Sequence, residues 1–190
     1  MPVLVLLSGG LDSAVLAAQL READRLGGAL FIDYGQPAGR QEFSAAMDVA
    51  DWLGMELHDS KMILPTAGDL GDGRLGVVAG RNLALLAHGI AWASALGCGS
   101  VAIGATADDQ DGYPDCRIAW VESASSMCEA AYGVAVVAPL SQLHKPAVIA
   151  EAVRLRVPVH LTWTCYTPKM GQPCKVCAAC RRMDAVTAAR

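Results

Sequence analysis

Aromatic side chains are scarce in this chain of 190 residues: four Trp, four Tyr and two Phe make up 5% of it. Proteins that hold single-stranded nucleic acid stack bases on aromatic platforms set among clustered cations, and little material for such a platform is present. Cations are also in the minority, with 15 Lys and Arg against 19 Asp and Glu for a formal charge of −4. Long apolar runs are missing. Runs such as Leu83–Ala87 and Ile90–Ala93 are cut by His88 and Gly89, whereas a membrane-spanning helix needs about 20 consecutive apolar residues. The first apolar run has no basic segment ahead of it and no small-residue cleavage site behind it, so no secretory signal is read and a cytoplasmic location is expected.

What is present suits a globular chain. Hydrophobic residues make up 53% and charged residues 18%, enough for a sizeable core and too apolar for intrinsic disorder. The length matches one domain of moderate size with a small appendage. Charge is uneven. Lys169, Lys175, Arg181, Arg182 and Arg190 face only Asp184 within residues 165–190, which leaves −8 for the rest. An acidic body speaks against a broad phosphate-binding surface. The seven cysteines are uneven too: Cys98, Cys116 and Cys128 are scattered, while Cys165, Cys174, Cys177 and Cys180 crowd together. An odd count without a secretion signal points to reduced thiols rather than a disulfide framework.

Apolar β-like runs alternate with helical patterns. Strands are expected at Val3–Leu7, Ala29–Asp33, Met55–His58, Val101–Gly104 and Val134–Val137. Helices are expected at Asp12–Arg21, from Glu42 onward, at Arg81–Leu96, at Ile118–Ala131 and from Lys145-Pro146, where Pro is tolerated in the first turn. Arg81–Leu96 is apolar nearly all round, which suits a helix buried between sheet and neighbour. This alternation predicts an α/β fold: a Rossmann-like parallel sheet of about five strands covered on both faces. After Pro158 the rhythm stops. The expected division is a domain over 1–160 and a four-cysteine module over 161–190.

Two features carry chemistry. Ser8-Gly9-Gly10-Leu11-Asp12-Ser13 stands between the first strand and first helix. There the glycines let backbone approach an anion, and the helix adds its positive end. A βα turn that binds nothing uses the same residue types. A literal G-x-G-x-x-G at Gly71, Gly73 and Gly76 follows no clear strand and opens no helix, so it is read as loop within a long functional loop over 60–80. Cys165, Cys174, Cys177 and Cys180 supply four thiolates for one tetrahedral ion, the set that structural zinc prefers. Buried free cysteines and a three-cysteine iron–sulfur cluster are the alternatives, and the fourth clustered cysteine argues against both. Cys98 and Cys128 read as core, and Cys116 falls on a loop at the carboxyl edge of the sheet.

The loop Ser8–Ser13 resembles the pyrophosphate loop of the N-type ATP pyrophosphatases, whose adenine nucleotide alpha hydrolase-like domains transfer AMP to their substrates. Asp33-Tyr34-Gly35-Gln36, Gly80-Arg81-Asn82, Gly112–Cys116, Ala138-Pro139-Leu140 and Leu161-Thr162-Trp163 follow in order and lead into the four cysteines. Together these segments resemble the 7-cyano-7-deazaguanine synthase family of queuosine biosynthesis over nearly the whole chain. The resemblance implies an ATP-dependent carbon–nitrogen ligase. It would activate 7-carboxy-7-deazaguanine with ATP, aminate it with ammonia to the amide, and activate again to the nitrile.

By the same resemblance, Ser8, Gly9, Gly10, Leu11, Asp12 and Ser13 would hold ATP with Mg2+. Asp12, Ser13, Arg81 and Lys145 would take part in catalysis, and Arg81, Asn82, Tyr113 and Asp115 would contact the substrate. Cys165, Cys174, Cys177 and Cys180 would bind Zn2+. A cation such as Arg81 opposes the dipole at a helix start, which favours a functional role for it. A homodimer is implied; direct nucleic-acid contact and membrane association are not expected. The chain departs from the family's usual pattern at Pro37-Ala38-Gly39, where basic residues and a His are usual, and at Ala79 and Asp111. Three alternatives stand beside this reading: a variant that stops at the amide for deazaguanine modification of DNA, a non-catalytic zinc-ribbon protein that binds nucleic acid, and an enzyme resembling those of tRNA thiolation with catalytic cysteines.

Overall fold

The computed structural model describes residues 1–64, 78–177 and 179–181. Five strands form one sheet: β1 (Val3–Leu6), β2 (Leu26–Asp33), β3 (Leu57–Lys61), β4 (Ser100–Ala102) and β5 (Ala135–Val137). Their order is β3-β2-β1-β4-β5, and every neighbouring pair is parallel. The chain therefore builds outward from β1 to one side, then returns and builds to the other. Such a reversal opens a crevice beyond the carboxyl ends of β1 and β4.

Strand pleating decides which residues meet which helices. Val3, Val5, Leu7, Ala29 and Phe31 face one layer, made by α1 (Leu11–Glu22), α2 (Gly39–Leu53) and α5 (Lys145–Arg154). Leu4, Leu30, Ile32, Val101 and Ile103 face the other, made by α3 (Arg81–Ala95) and α4 (Ile118–Tyr132). Cys98 and Cys128 lie in this second core, as their apolar surroundings imply. Among the described residues no helix is long and apolar enough to cross a membrane.

Three expectations need adjustment. β2 begins at Leu26, ahead of Ala29, because Gly27 and Gly28 extend it despite their weak strand tendency. A Cβ on Gly27 would lie 2.9 Å from the Cys98 sulfur, and one on Gly28 would lie 2.9 Å from Leu4, so packing demands glycine here. β3 runs on to Lys61 through His58, Asp59 and Ser60, polar residues that suit its place at the sheet edge. The helix enclosed on nearly all sides is α1, which buries eight of its residues between sheet, α2 and α5. α3 instead buries only Leu86, Gly89, Ile90 and Ala93 and leaves Leu83 half exposed, so its all-round apolar pattern does not reflect all-round burial. The G-x-G-x-x-G run at 71–76 lies outside the described residues.

Gly9 adopts φ +78°, and a Cβ there would run into the Glu42 carbonyl oxygen and sit 2.9 Å from the Ala46 nitrogen of α2. Both the dihedral and the contact require glycine. Gly9→Ala is expected to lower the unfolding free energy by roughly 1–3 kcal/mol, read from urea titration; an unchanged midpoint would contradict this packing.

Candidate functional site

A cavity of about 400 Å³ opens at the crevice and is bounded by Ser8, Asp12, Ser13, Arg81, Tyr113 and Lys145, among others. On the β1 side, the chain leaves the strand and turns through Gly9 into α1. Gly10 is the N-cap, and among the described residues no side chain caps the helix, so its first backbone N–H groups are not taken by a cap there. Ser8 and Ser13 hydroxyls are 3.1 Å apart, and the Ser13 hydroxyl donates to the Gly10 carbonyl at 3.0 Å. A Cβ on Gly104, just past β4, would lie 3.2 Å from the Ser13 nitrogen, so the neighbouring strand end also presses close to the loop.

Lys145 reaches this loop from α5. Its ammonium donates to both carboxylate oxygens of Asp12 at 2.6 and 2.7 Å, with both side chains about three-quarters buried. The start of α5 is held by Asp108, whose Oδ2 accepts the Lys145 backbone N–H at 2.6 Å while its Oδ1 meets His144 Nδ1 at 2.8 Å. The His144 hydrogen bond, followed by the Lys145 backbone N–H, holds the Asp108 carboxyl below its ordinary pKa. Lys145 is thus fixed at both backbone and side chain.

The opposite wall is the first turn of α3 and the Tyr113–Cys116 turn. The Arg81 guanidinium stands 5.7 Å from the centroid of the Tyr113 ring, and it hydrogen-bonds Tyr34. Burial works against its charge, but Tyr34, Asp115 and Tyr113 outweigh that cost and hold Arg81 protonated. Asn82 donates from its side-chain amide to the Asp115 carbonyl at 3.2 Å, and its backbone N–H faces the Asp115 carboxylate at 3.4 Å. Asp115 is not among the cavity-lining residues and braces the turn from behind. Cys116 does line the cavity, and burial, with Asp109 and Asp115 adding to it, pushes its thiol up to about 11.

The four clustered cysteines converge. Their sulfurs all lie within 4.8 Å of one another, and those of Cys174 and Cys180 are 4.0 Å apart. A tetrahedral zinc ion bonded at about 2.3 Å separates its sulfurs by about 3.8 Å, so the donor set fits such an ion. Backbone N–H groups of Cys174, Cys177 and Cys180 donate to the sulfurs of Cys165, Cys174 and Cys177 at 3.2, 3.3 and 3.4 Å. The Thr167 hydroxyl, then the Val176 and Cys177 N–H groups, lower Cys174 to about 5. Burial pushes Cys180 up to about 12, a cost that a bound cation removes. Lys175 adopts φ +58° in the turn between Cys174 and Cys177.

The segment around this cluster also forms part of the cavity wall. Trp163 donates its backbone N–H to the Gly9 carbonyl at 2.9 Å and its indole N–H to the Cys165 carbonyl at 2.7 Å. Trp163, Thr164 and Tyr166 all line the cavity. Thr164, Tyr166, Glu42 and Asp109 escape a reading of sequence motifs. The only local signal was the position of Thr164 and Tyr166 on either side of Cys165, while Glu42 and Asp109 reach the crevice through the fold.

The model of the queuosine biosynthesis protein QueC matches residues 58–189, well over half of the chain. The chain belongs to the QueC family. A 7-cyano-7-deazaguanine synthase from Synechococcus sp. (strain CC9605) is 36% identical over 96% of this chain and 90% of its own length. One from Koribacter versatilis (strain Ellin345) is 36% identical over 93% of this chain and 84% of its own. The asparagine synthase model matches residues 1–67, the part that carries the Ser8–Ser13 loop.

Two solved structures share the fold at low identity. The U34-tRNA thiolase NcsA from Methanococcus maripaludis, with its [4Fe-4S] cluster, superimposes with a TM-score of 0.59 at 18% identity. It covers 99% of this chain, which spans 64% of the thiolase. NMN synthetase from Francisella tularensis superimposes with a TM-score of 0.58 at 19% identity, over 92% of this chain and 70% of the synthetase. The family and these neighbours place the sheet among adenine nucleotide alpha hydrolase-like folds.

Metal analysis is expected to find about one divalent ion per chain, as a closed tetrathiolate site holds. Cys177→Ser is expected to lose it and to lower the melting temperature. A metal-free parent that melts at the same temperature with and without chelator would contradict this assignment.

Proposed function

We propose that this chain converts 7-carboxy-7-deazaguanine and ammonia to 7-cyano-7-deazaguanine, consuming two ATP. One observation carries the reading: in a chain of this family, the Ser8–Ser13 loop and the Arg81–Tyr113 wall face each other across a single crevice. A carboxylate does not react with ammonia at neutral pH, because it offers no leaving group and carries negative charge. Transfer of AMP to its oxygen removes both obstacles. Ammonia attacks the carboxyl carbon and AMP departs, giving the amide. A second AMP transfer, to the amide oxygen, then permits loss of AMP and a proton to leave the nitrile.

In this scheme the loop Ser8, Gly9, Gly10, Leu11, Asp12 and Ser13 holds the departing diphosphate, through backbone N–H groups at the start of α1 and the two hydroxyls. Asp12, beside its pairing with Lys145, would be the carboxylate to hold Mg2+, which would supply charge neutralisation at the phosphates. Lys145, oriented by Asp12 and Asp108, supplies a positive charge where negative charge develops during AMP transfer. Arg81 binds the substrate carboxylate with its planar fork. Asn82 and the Tyr113 ring accept the flat base, and Asp115 keeps Asn82 in place. Zn2+ held by Cys165, Cys174, Cys177 and Cys180 is structural, since four thiolates leave no open position. Residues 161–190 thus act as a module that completes the 1–160 domain, in a cytoplasm that keeps its thiols reduced.

A second reading ends the reaction at the amide. Pro37 and Ala38 line the cavity at positions where the family usually has basic residues and a His, so retention of the amide for a second activation is the step most exposed to this change.

Mass analysis of products from purified protein, ATP, ammonium and the carboxylate distinguishes the readings. The nitrile with two AMP per base is expected. An amide with one AMP would establish the shorter reaction, and no carboxylate-dependent AMP would refute both. Ser13→Ala or Asp12→Ala is expected to reduce AMP formation by roughly a hundredfold, far beyond its effect on stability; AMP release at the parent rate would remove the loop from the mechanism.

A further inference from the structure

Amination requires more than an activated carboxyl group. Ammonium has no lone pair, so a proton must leave nitrogen before the C–N bond forms, and a second must leave before the product is a neutral amide. Among the described residues, three carboxylates line the cavity: Asp12, Glu42 and Asp109. Asp12 has both oxygens engaged by the Lys145 ammonium. Asp109 Oδ2 accepts the Thr106 N–H at 2.9 Å and the Thr106 hydroxyl at 2.7 Å, closing the turn after β4. Cys116, with its thiol held protonated by burial, is no base near neutral pH.

Glu42 differs. It stands half-buried in the first turn of α2, beneath the loop at Gly9, and its Oε2 accepts a single bond from the Gln36 amide at 3.0 Å. Its other oxygen accepts no hydrogen bond among the described residues. We propose that Glu42 is the proton acceptor for the ammonia nucleophile, an inference that rests on the reaction proposed above. Ammonium gives its proton to the Glu42 carboxylate, and the freed lone pair forms the C–N bond as the C–O bond to AMP breaks. AMP keeps that electron pair. Glu42 passes its first proton to water and takes the second from the new C–N nitrogen, so two protons, AMP and the neutral amide are the products.

The titratable and charged groups facing Glu42 are Asp33 and Tyr34 at the end of β2 and Arg81 of α3. Burial raises the Glu42 pKa above the ordinary carboxylate value, and Asp33 adds to this, while Gln36 and Arg81 oppose it. A raised value brings the acceptor nearer to neutrality and improves proton transfer. It also means that the fold favours the neutral form. The cost of the charged form is absent below the ordinary carboxylate value, grows as pH rises from there to the raised one, and is constant above it. Glu42→Gln is therefore expected to melt no lower than the parent at pH 8.

The test compares two reactions of the same variant. Carboxylate-dependent exchange of diphosphate into ATP needs no nucleophile, whereas amide formation needs ammonia. In Glu42→Gln, amination with ammonium is expected to fall about a hundredfold or more, and at least about tenfold further than exchange does. Hydroxylamine, which is already neutral at pH 7, is expected to recover much of the lost rate, and the acidic limb of the amination pH profile is expected to move up from the titration of Glu42 to that of ammonium itself. Equal losses of exchange and amination, or an unchanged pH profile with ammonium, would overturn the role. A parent enzyme without carboxylate-dependent exchange would refute the adenylation scheme itself, and the role of Glu42 with it.

Discussion

The backbone of Gly9 passes so close to α2 that no side chain fits between them, and the rest of the crevice is arranged about that contact. The positive φ turns the chain sharply out of β1, so α1 begins at once and points its first N–H groups into the space beyond the sheet. The same contact brings the first turn of α2 beneath the loop, which puts Glu42 in the wall of the cavity. Loop, helix start and carboxylate are thus positioned by one close approach of two backbones.

From the other side the Gly9 carbonyl accepts the Trp163 N–H, so the loop is clamped between α2 and the start of the cysteine module. Two residues further on, Cys165 enters the four-cysteine cluster, and the Trp163 indole reaches back to the Cys165 carbonyl. This short path ties the four-cysteine cluster to the loop. Thr164, caught between the two, lines the cavity with a buried hydroxyl that has no hydrogen-bond partner among the described residues.

Much of this was legible in the sequence, for identifiable reasons. Parallel strands buried on both faces read as continuous apolar runs, so Val3–Leu6 and the strand through Ala29–Asp33 stood out. Clustered cysteines announce a shared ligand because few other needs place four thiols together, and their sulfurs do converge. The start of β2 was hidden, since Gly27 and Gly28 are there to let Pro2, Leu4 and Cys98 come near, a tertiary reason invisible along the chain. The polar strand β3 was faint because an edge strand needs few apolar residues. The exposed side of α3 misled, since alanine and leucine look the same in sequence whether covered or not. Cavity-lining residues within motifs, such as Arg81 and Asn82, could be picked out, whereas Glu42 and Asp109 became candidates only once the fold brought them to one crevice.

The central claim is that one crevice at the reversal of strand order holds both the phosphates and the base. A crystal structure with an ATP analogue that resists cleavage between its α and β phosphates tests it most directly. The account predicts the terminal phosphates against the backbone N–H groups of residues 9–13, within reach of the Ser8 and Ser13 hydroxyls and near Lys145. It also predicts that the space beside Arg81 and Tyr113 stays open for the base. Triphosphate bound elsewhere, as in the arginine-lined cleft formed by Arg21, Arg154 and Arg156 on the far side of α1, would contradict it.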